Sequence, residues 1–215
     1  MLIIGAKGFA KEVLEVVNQL NQLDHLVFYD DVNQETPEKL FGQFPVLRTV
    51  EEVSIYFKTI DHQFTIGIGN PVLRKKIYNK FTSLGGMYTS IISPLATIGC
   101  YGTIIELGCN IMSGTVITSD ILIKKGTLIN LNCTIGHDSI LGEFVELSPG
   151  VHISGNCTVG NYSVFGTNAS MLPKLIVGKN VIIGAGSVVT KNIPDNCVAI
   201  GIPAKIIKEL NPLPY

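Results

Sequence analysis

The chain has 215 residues, 46% of them hydrophobic and 15% charged, with a formal net charge of −1. That is enough apolar material for a sizeable core in one or two domains, and the charge gives no global basic field for nucleic acid. Five cysteines, an odd number with no Cys-x-x-Cys among them, argue against a disulfide framework or a zinc site, and no apolar run reaches membrane-spanning length.

Met1 leads straight into Leu2-Ile3-Ile4, without the basic region or cleavage signal of an exported protein, so a reducing cytoplasm is expected. Leu2-Ile3-Ile4 reads as a short buried strand. Gly5-Ala6-Lys7-Gly8-Phe9-Ala10 is a glycine turn, and residues 11–20 carry helical periodicity at Val13, Leu14, Val17 and Leu20. A second strand, Leu26-Val27-Phe28-Tyr29, ends in Asp30-Asp31. A third covers 64–69. Asn70-Pro71 then opens a helix, with Asn as its cap and Pro at its first position. Val72, Leu73, Ile77, Phe81 and Leu84 form its apolar face, and Gly85-Gly86 ends it.

Strand, glycine turn, helix and strand with a terminal acid is the opening of a Rossmann-like, nucleotide-binding α/β unit, here residues 1–86. The turn has two glycines rather than three, so a plain strand-to-helix connection is the bland alternative. Asp30 and Asp31 favour a ligand, because carboxylates at a second strand's end can meet a ribose or a base.

Residues 87–215 follow a different rule. From Ile105 to Val189 every sixth residue is large and apolar, and two places before each lies a second column, mostly small or β-branched. Neither a helix nor a simple strand has a period of six. A short strand plus a corner does, and hexapeptide repeats of this kind are the signature of a parallel β-helix. A β-sandwich would space its strands less regularly. Ile98 stands seven residues before Ile105, so one residue is inserted near Tyr101-Gly102. Pro194 and Pro203 mark the end of the period and a cap over the last open edges. Cys109, Cys133 and Cys157 fall in the small inward column and pack as small hydrophobes.

Three six-residue sides make a turn of eighteen. His137 occupies a corner, with Asp138 beside it, and Gly155 lies one rung along at the same corner. The functional reading is a general base oriented by its carboxylate neighbour, with room and a backbone N–H at Gly155 for an oxyanion. Solvated surface and a corner that simply needs glycine are the bland alternatives. His152 and Glu146 precede inward residues and should point outward from flat sides. His25 and His62 lie outside the coil without metal-like partners. A trimer binding zinc through coil histidines would want more of them than His137 and His152 supply.

The run Asn132-Cys133-Thr134-Ile135-Gly136-His137-Asp138, with Leu141-Gly142-Glu143-Phe144-Val145-Glu146-Leu147-Ser148-Pro149-Gly150, resembles the core of the NeuD/PglD-like sugar acyltransferases. The opening Ile-Ile-Gly-Ala-Lys-Gly-Phe and the Ile-Gly-Asn-Pro-x-x-Arg-Lys segment resemble the same family's N-terminal domain. The ending Gly-Ala-Gly-Ser-Val-Val-Thr-Lys-x-Ile-Pro, through Gly-Ile-Pro-Ala-Lys, is similar to hexapeptide acyltransferases in general.

The resemblance implies a left-handed coil, a homotrimer, acetyl-CoA in the groove between neighbouring coils, and a sugar nucleotide held by the N-terminal domain, with no metal. It implies His137 as base and Asp138 as the acid that raises its basicity. Thr167 and Ala185 match CoA-contacting positions, as does Gly155 beside the base. Glu146 stands where some members carry a second His near the thioester. Gly8, Phe9, Asp30, Asp31 and Asn70 match the acceptor-binding segments, although many members have Gly-His-Gly where this chain has Gly8-Phe9-Ala10. The implied activity is acetyl transfer to an amino group, the 4-amino above others, of a nucleotide-linked deoxyamino sugar in surface glycan synthesis. O-acetylation of a sialic acid or other sugar is the nearest alternative, and a non-catalytic binding or scaffold coil is the rival of another class.

Overall fold

The computed structural model describes residues 1–33 and 35–214. It divides into two compact units, Met1–Ser93 and Pro94–Tyr215.

In the first unit the strands are β1 (Leu2–Ile4), β2 (Val27–Tyr29), β3 (Lys39–Leu40), β4 (Phe44–Leu47), β5 (Gln63–Ile66) and β6 (Met87–Tyr88). They lie in the order β3-β4-β2-β1-β5-β6, parallel throughout except for the β3–β4 hairpin. Sequence order reverses on either side of β1, which sets a switch point at the carboxyl ends of β1, β2 and β5.

Helix α1 (Phe9–Gln19) buries Ala10, Val13, Leu14, Val16 and Val17. It starts two residues earlier than the periodicity predicts, directly after Gly8. A Cβ on Gly67 would lie 2.5 Å from the Cα of Ala10, so the helix packs on the end of β5 as closely as a glycine allows. Helix α3 (Pro71–Ser83) begins as predicted, Asn70 accepting from the Leu73 N–H at 3.0 Å and Pro71 standing in the first turn. Sequence reading assigns no element between the second and third strands. The structure adds β3, β4 and α2 (Val50–Thr59), which opens on a full capping box between Thr49 and Glu52.

The second unit is a left-handed parallel β-helix. Two-residue strands stack into three flat parallel sides. Partners are eighteen residues apart, as in Thr134↔His152 and Ile135↔Ile153. Val116 instead pairs with Thr97, nineteen residues back, so the predicted insertion falls between Ile98 and Ile104.

The large column points inward and is fully buried from Ile111 to Val189, and Ile105 is half-buried. The small column does more than fill space. Thr115, Thr127, Ser139 and Ser163 each donate to the carbonyl fifteen residues on, at 2.7–3.2 Å, and Cys109, Cys133 and Cys157 do so through sulfur at 3.2–3.3 Å. Corner carbonyls that the sheets leave unpaired are thus satisfied inside the coil.

A third column, three places after the inward residue, runs at positive φ. Gly114, Asp120, Gly126, Asn132, Asp138 and Asn156 belong to it, residue types that tolerate the left-handed region. Phe144 and Tyr162 also hold it, at φ 53 and 62, with their rings stacked 5.9 Å apart. Beyond Val189 the spacing shortens, Ile182 pairing with Val198. The chain then turns back through the antiparallel pair Cys197–Ile200 and Lys205–Glu209.

Candidate active site

In the second unit the strand Thr134–Ile135 runs into the corner Gly136-His137-Asp138. Asp138 is left-handed at φ 55, and its Oδ2 lies 2.6 Å from His137 Nδ1. A carboxylate at Nδ1 keeps the proton there and leaves Nε2 as the acceptor. Both side chains are more than half exposed, so the pair stands on the outside of the prism.

Gly155 follows one rung along. A Cβ there would lie 2.6 Å from His137 Nε2, so the imidazole leans over this glycine. The Gly155 N–H has no hydrogen-bond partner among the described residues.

Thr167 and Ala185 are both exposed and each stands three residues after the register partners Val164 and Ile182. They share a corner with one another, and it is not the corner of His137. Glu146 is half-buried on the flat side that leads into theirs. His152 is exposed on the side leading to the His137 corner, its Nδ1 2.9 Å from Thr134 Oγ1.

The first unit has its own cavity of about 460 Å³ at the switch point. Its walls are Ile4–Lys7 after β1, Tyr29–Asn33 after β2, Gly67 and Ile68 after β5, and one face of α3 from Leu73 to Phe81. The predicted Asp30 and Asp31 line it. Gly8 and Phe9 start α1 and Asn70 caps α3, and none of the three is in the cavity wall.

The two acids do different work. Asp30 is 5% exposed and turns inward on its own loop. It accepts from the Val32 N–H at 3.1 Å, the Asn33 N–H at 2.9 Å and both ways from the Asn33 amide. Burial alone would raise its carboxyl, but these hydrogen bonds and Arg48 outweigh it and hold the pKa below the usual aspartate range. Arg48 clamps the same loop by donating to the carbonyls of Asp30, Asn33 and Thr36.

Asp31 faces a cation. Its Oδ2 accepts from the Tyr29 hydroxyl at 2.9 Å and lies 3.6 Å from Lys80 Nζ. Lys80 also sits over the rings of Tyr29 and Phe81, at 5.4 and 5.5 Å. Burial and the Asp31 carboxylate push the Tyr29 hydroxyl far above its usual pKa, so it stays a donor. Lys7 pairs with Glu35 at the mouth, and Lys76 lines the wall.

Sequence reading did not single out Tyr29, Lys76 or Lys80. Lys76 and Lys80 stand four apart on α3, on the face that carries Leu73, Ile77 and Phe81, and that spacing was the available signal. Cavity walls of apolar side chains with a few convergent charges suit a ligand with a planar body and an anionic end.

Among the described residues no cluster of His, Cys, Asp and Glu could hold a metal ion, and no helix is long and apolar enough to cross a membrane. The PglD N-terminal domain family matches residues 1–81. No relative was found among curated protein sequences. Among solved structures, the chain is similar to a histidine-to-asparagine mutant of perosamine N-acetyltransferase from Caulobacter crescentus, in complex with CoA and GDP-perosamine. The two are 27% identical over 97% of this chain and 96% of that one, with a TM-score of 0.89. It is 33% identical to the acetyltransferase domain of PglB from Neisseria gonorrhoeae, over 96% and 98% of the two chains, with a TM-score of 0.86. WeeI from Acinetobacter baumannii is 30% identical over 96% and 98%, with a TM-score of 0.83. With the likeness running through both units, the chain belongs to the NeuD/PglD-like family of sugar acyltransferases.

Proposed function

We propose that the chain transfers an acetyl group from acetyl-CoA to an amino group, the 4-amino, of a nucleotide-linked deoxyamino sugar, for surface glycan synthesis. The observation that carries this reading is the outward His137–Asp138 pair, 2.6 Å apart, in a chain whose full-length likenesses include an N-acetyltransferase bound to CoA and GDP-perosamine.

The acceptor amine attacks the thioester carbonyl while His137 Nε2 takes its proton. Asp138 steadies the imidazolium that results. The unpaired N–H of Gly155 donates to the oxyanion. The tetrahedral adduct collapses, the C–S bond breaks, and CoA leaves as a thiolate that takes up the proton. No covalent enzyme intermediate is required, and Cys133 and Cys157, buried in the coil, have no part. Thr167 and Ala185 line the path of CoA through backbone groups, and Glu146 faces the same cosubstrate.

In the first unit the cavity takes the nucleotide, with Asp30 shaping the loop and Asp31 facing the ligand. Gly8, Phe9 and Asn70 set the strand-to-helix turns around it.

The active assembly is a homotrimer. The flat side that starts just past the His137 corner presents Ile104, Leu122, Ile140, Thr158 and Ile176 outward, with Ile104 59% and Ile176 53% exposed. An apolar stripe of this kind suits burial against a neighbouring coil. Five free thiols, four of them buried, suit a reducing cytoplasm.

The test is to incubate the protein with acetyl-CoA and a panel of amino-sugar nucleotides and to follow thiol release. Acceptor-dependent release that vanishes in His137→Ala is expected. Release independent of any acceptor, or near-normal transfer by folded His137→Ala, would remove the reading.

A further inference from the structure

We propose that Gly155 is a positioning residue for His137: the absence of a side chain at 155 is what lets the imidazole rest against Asp138 with Nε2 open. The inference rests on His137 being the base.

Glycine at a coil corner ordinarily has a backbone reason, and Gly155 lacks one. It is not among the glycines at positive φ, unlike Gly114, Gly126 and Gly150, so its conformation is open to any residue. Several other corner glycines without positive φ are needed for rung packing. A Cβ on Gly136, Gly160 or Gly166 would strike main-chain atoms of the next rung at 2.5–2.6 Å. At Gly155 the three nearest atoms are all in one ring: His137 Nε2 at 2.6 Å, Cε1 at 2.8 Å and Cδ2 at 3.0 Å. These are the three atoms of the ring's outer edge. A methyl group there meets the nitrogen that is to accept the proton before it meets any backbone atom.

The ring has two ways to avoid it. It can swing outward and lose the 2.6 Å contact with Asp138 Oδ2, or stay and have Nε2 covered. Either removes the base, while the backbone N–H at 155 survives. The glycine therefore serves through its missing side chain, whether or not its N–H also meets an oxyanion.

A double-mutant cycle tests this. Gly155→Ala, His137→Ala and the double variant are purified, checked for folding, and assayed with acetyl-CoA and the best amino-sugar nucleotide. Gly155→Ala is expected to keep KM for both substrates and to lose about 100-fold or more in kcat, the range a general base supplies. Its His137 ring ¹⁵N shifts should lose the signature of a carboxylate-held Nδ1–H tautomer. The double variant should be no slower than His137→Ala, because the methyl group harms nothing once the ring is gone. It should also fold even if the clash destabilises the single variant.

A Gly155→Ala enzyme within about threefold of wild-type kcat overturns the proposal. So does a raised KM without a kcat loss, or a double variant much slower than His137→Ala, since both place the role of Gly155 in substrate room or oxyanion contact. Full activity in His137→Ala overturns instead the assignment of the base.

Discussion

His137 and Asp138 are chain neighbours, yet their side chains meet at 2.6 Å. Adjacent residues in an extended strand point to opposite faces. Here the left-handed corner at Asp138, φ 55, folds the carboxylate back onto the imidazole. A dyad is thereby made from two consecutive residues.

Asp138→Asn keeps the corner, since asparagine favours the left-handed region as well. It removes the charge that stabilises the imidazolium and leaves the tautomer unfixed. The expected result is a kcat lower by about 10- to 100-fold with little change in KM, read by steady-state kinetics at saturating acetyl-CoA.

Lys80 is held half-exposed by Asp31, Tyr29 and Phe81 and ends at the cavity wall. Lys80→Met keeps the stem that packs on the aromatic rings and deletes the ammonium. Affinity for the sugar nucleotide should fall by about 10- to 100-fold, the worth of a hydrogen bond to a charged group. Acetyl-CoA binding should not change. Isothermal titration with each ligand separately checks both halves.

Asp30 predicts an acid-sensitive loop. Its carboxyl is held below the ordinary aspartate value in the folded protein. Its contribution is therefore full above that value and is lost as pH falls through the lower, folded one. Asp30→Asn should cost about 1–3 kcal/mol at neutral pH, and the gap to wild type should close in the acid range. Urea unfolding at both ends of that range measures it.

Thr127 donates to the Gly142 carbonyl at 2.7 Å inside the coil. Thr127→Val keeps the shape and strands the carbonyl. A loss of about 1–3 kcal/mol is expected, measured by chemical denaturation.

The coil was legible because one strict period fixes both which residues face in and where the corners fall. Even the inserted residue before Ile104 could be read from a single break in the count. Outward placement of His137 followed from that register. The lean of its ring over Gly155 did not, because side-chain torsions at an exposed corner carry no periodic signal. The left-handed column was half-written in Asp120, Asn132, Asp138 and Asn156, and obscured by Phe144, Tyr162 and Lys174, which hold the same φ.

In the first unit, β1, β2, α1 and α3 were readable from apolar runs and a cap. Strands β3 and β4, with two and four residues, are too short to show alternation. Helix α2 carried a signal that went unread, the Thr49 and Glu52 spacing of its capping box. Asp30 and Asp31 look equivalent in the sequence. Only the loop geometry turns Asp30 onto its own backbone and sets Asp31 against Tyr29 and Lys80.

The eighteen-residue register of the coil has a consequence for how such chains can change. Gain or loss of one complete circuit leaves every remaining side chain on its original wall. A change of six carries all that follows to the next edge of the prism and, where it falls between the two, would remove His137 from above Gly155. Length variation among working relatives should therefore come in whole circuits, or as bulges at the vertices like the one before Ile104.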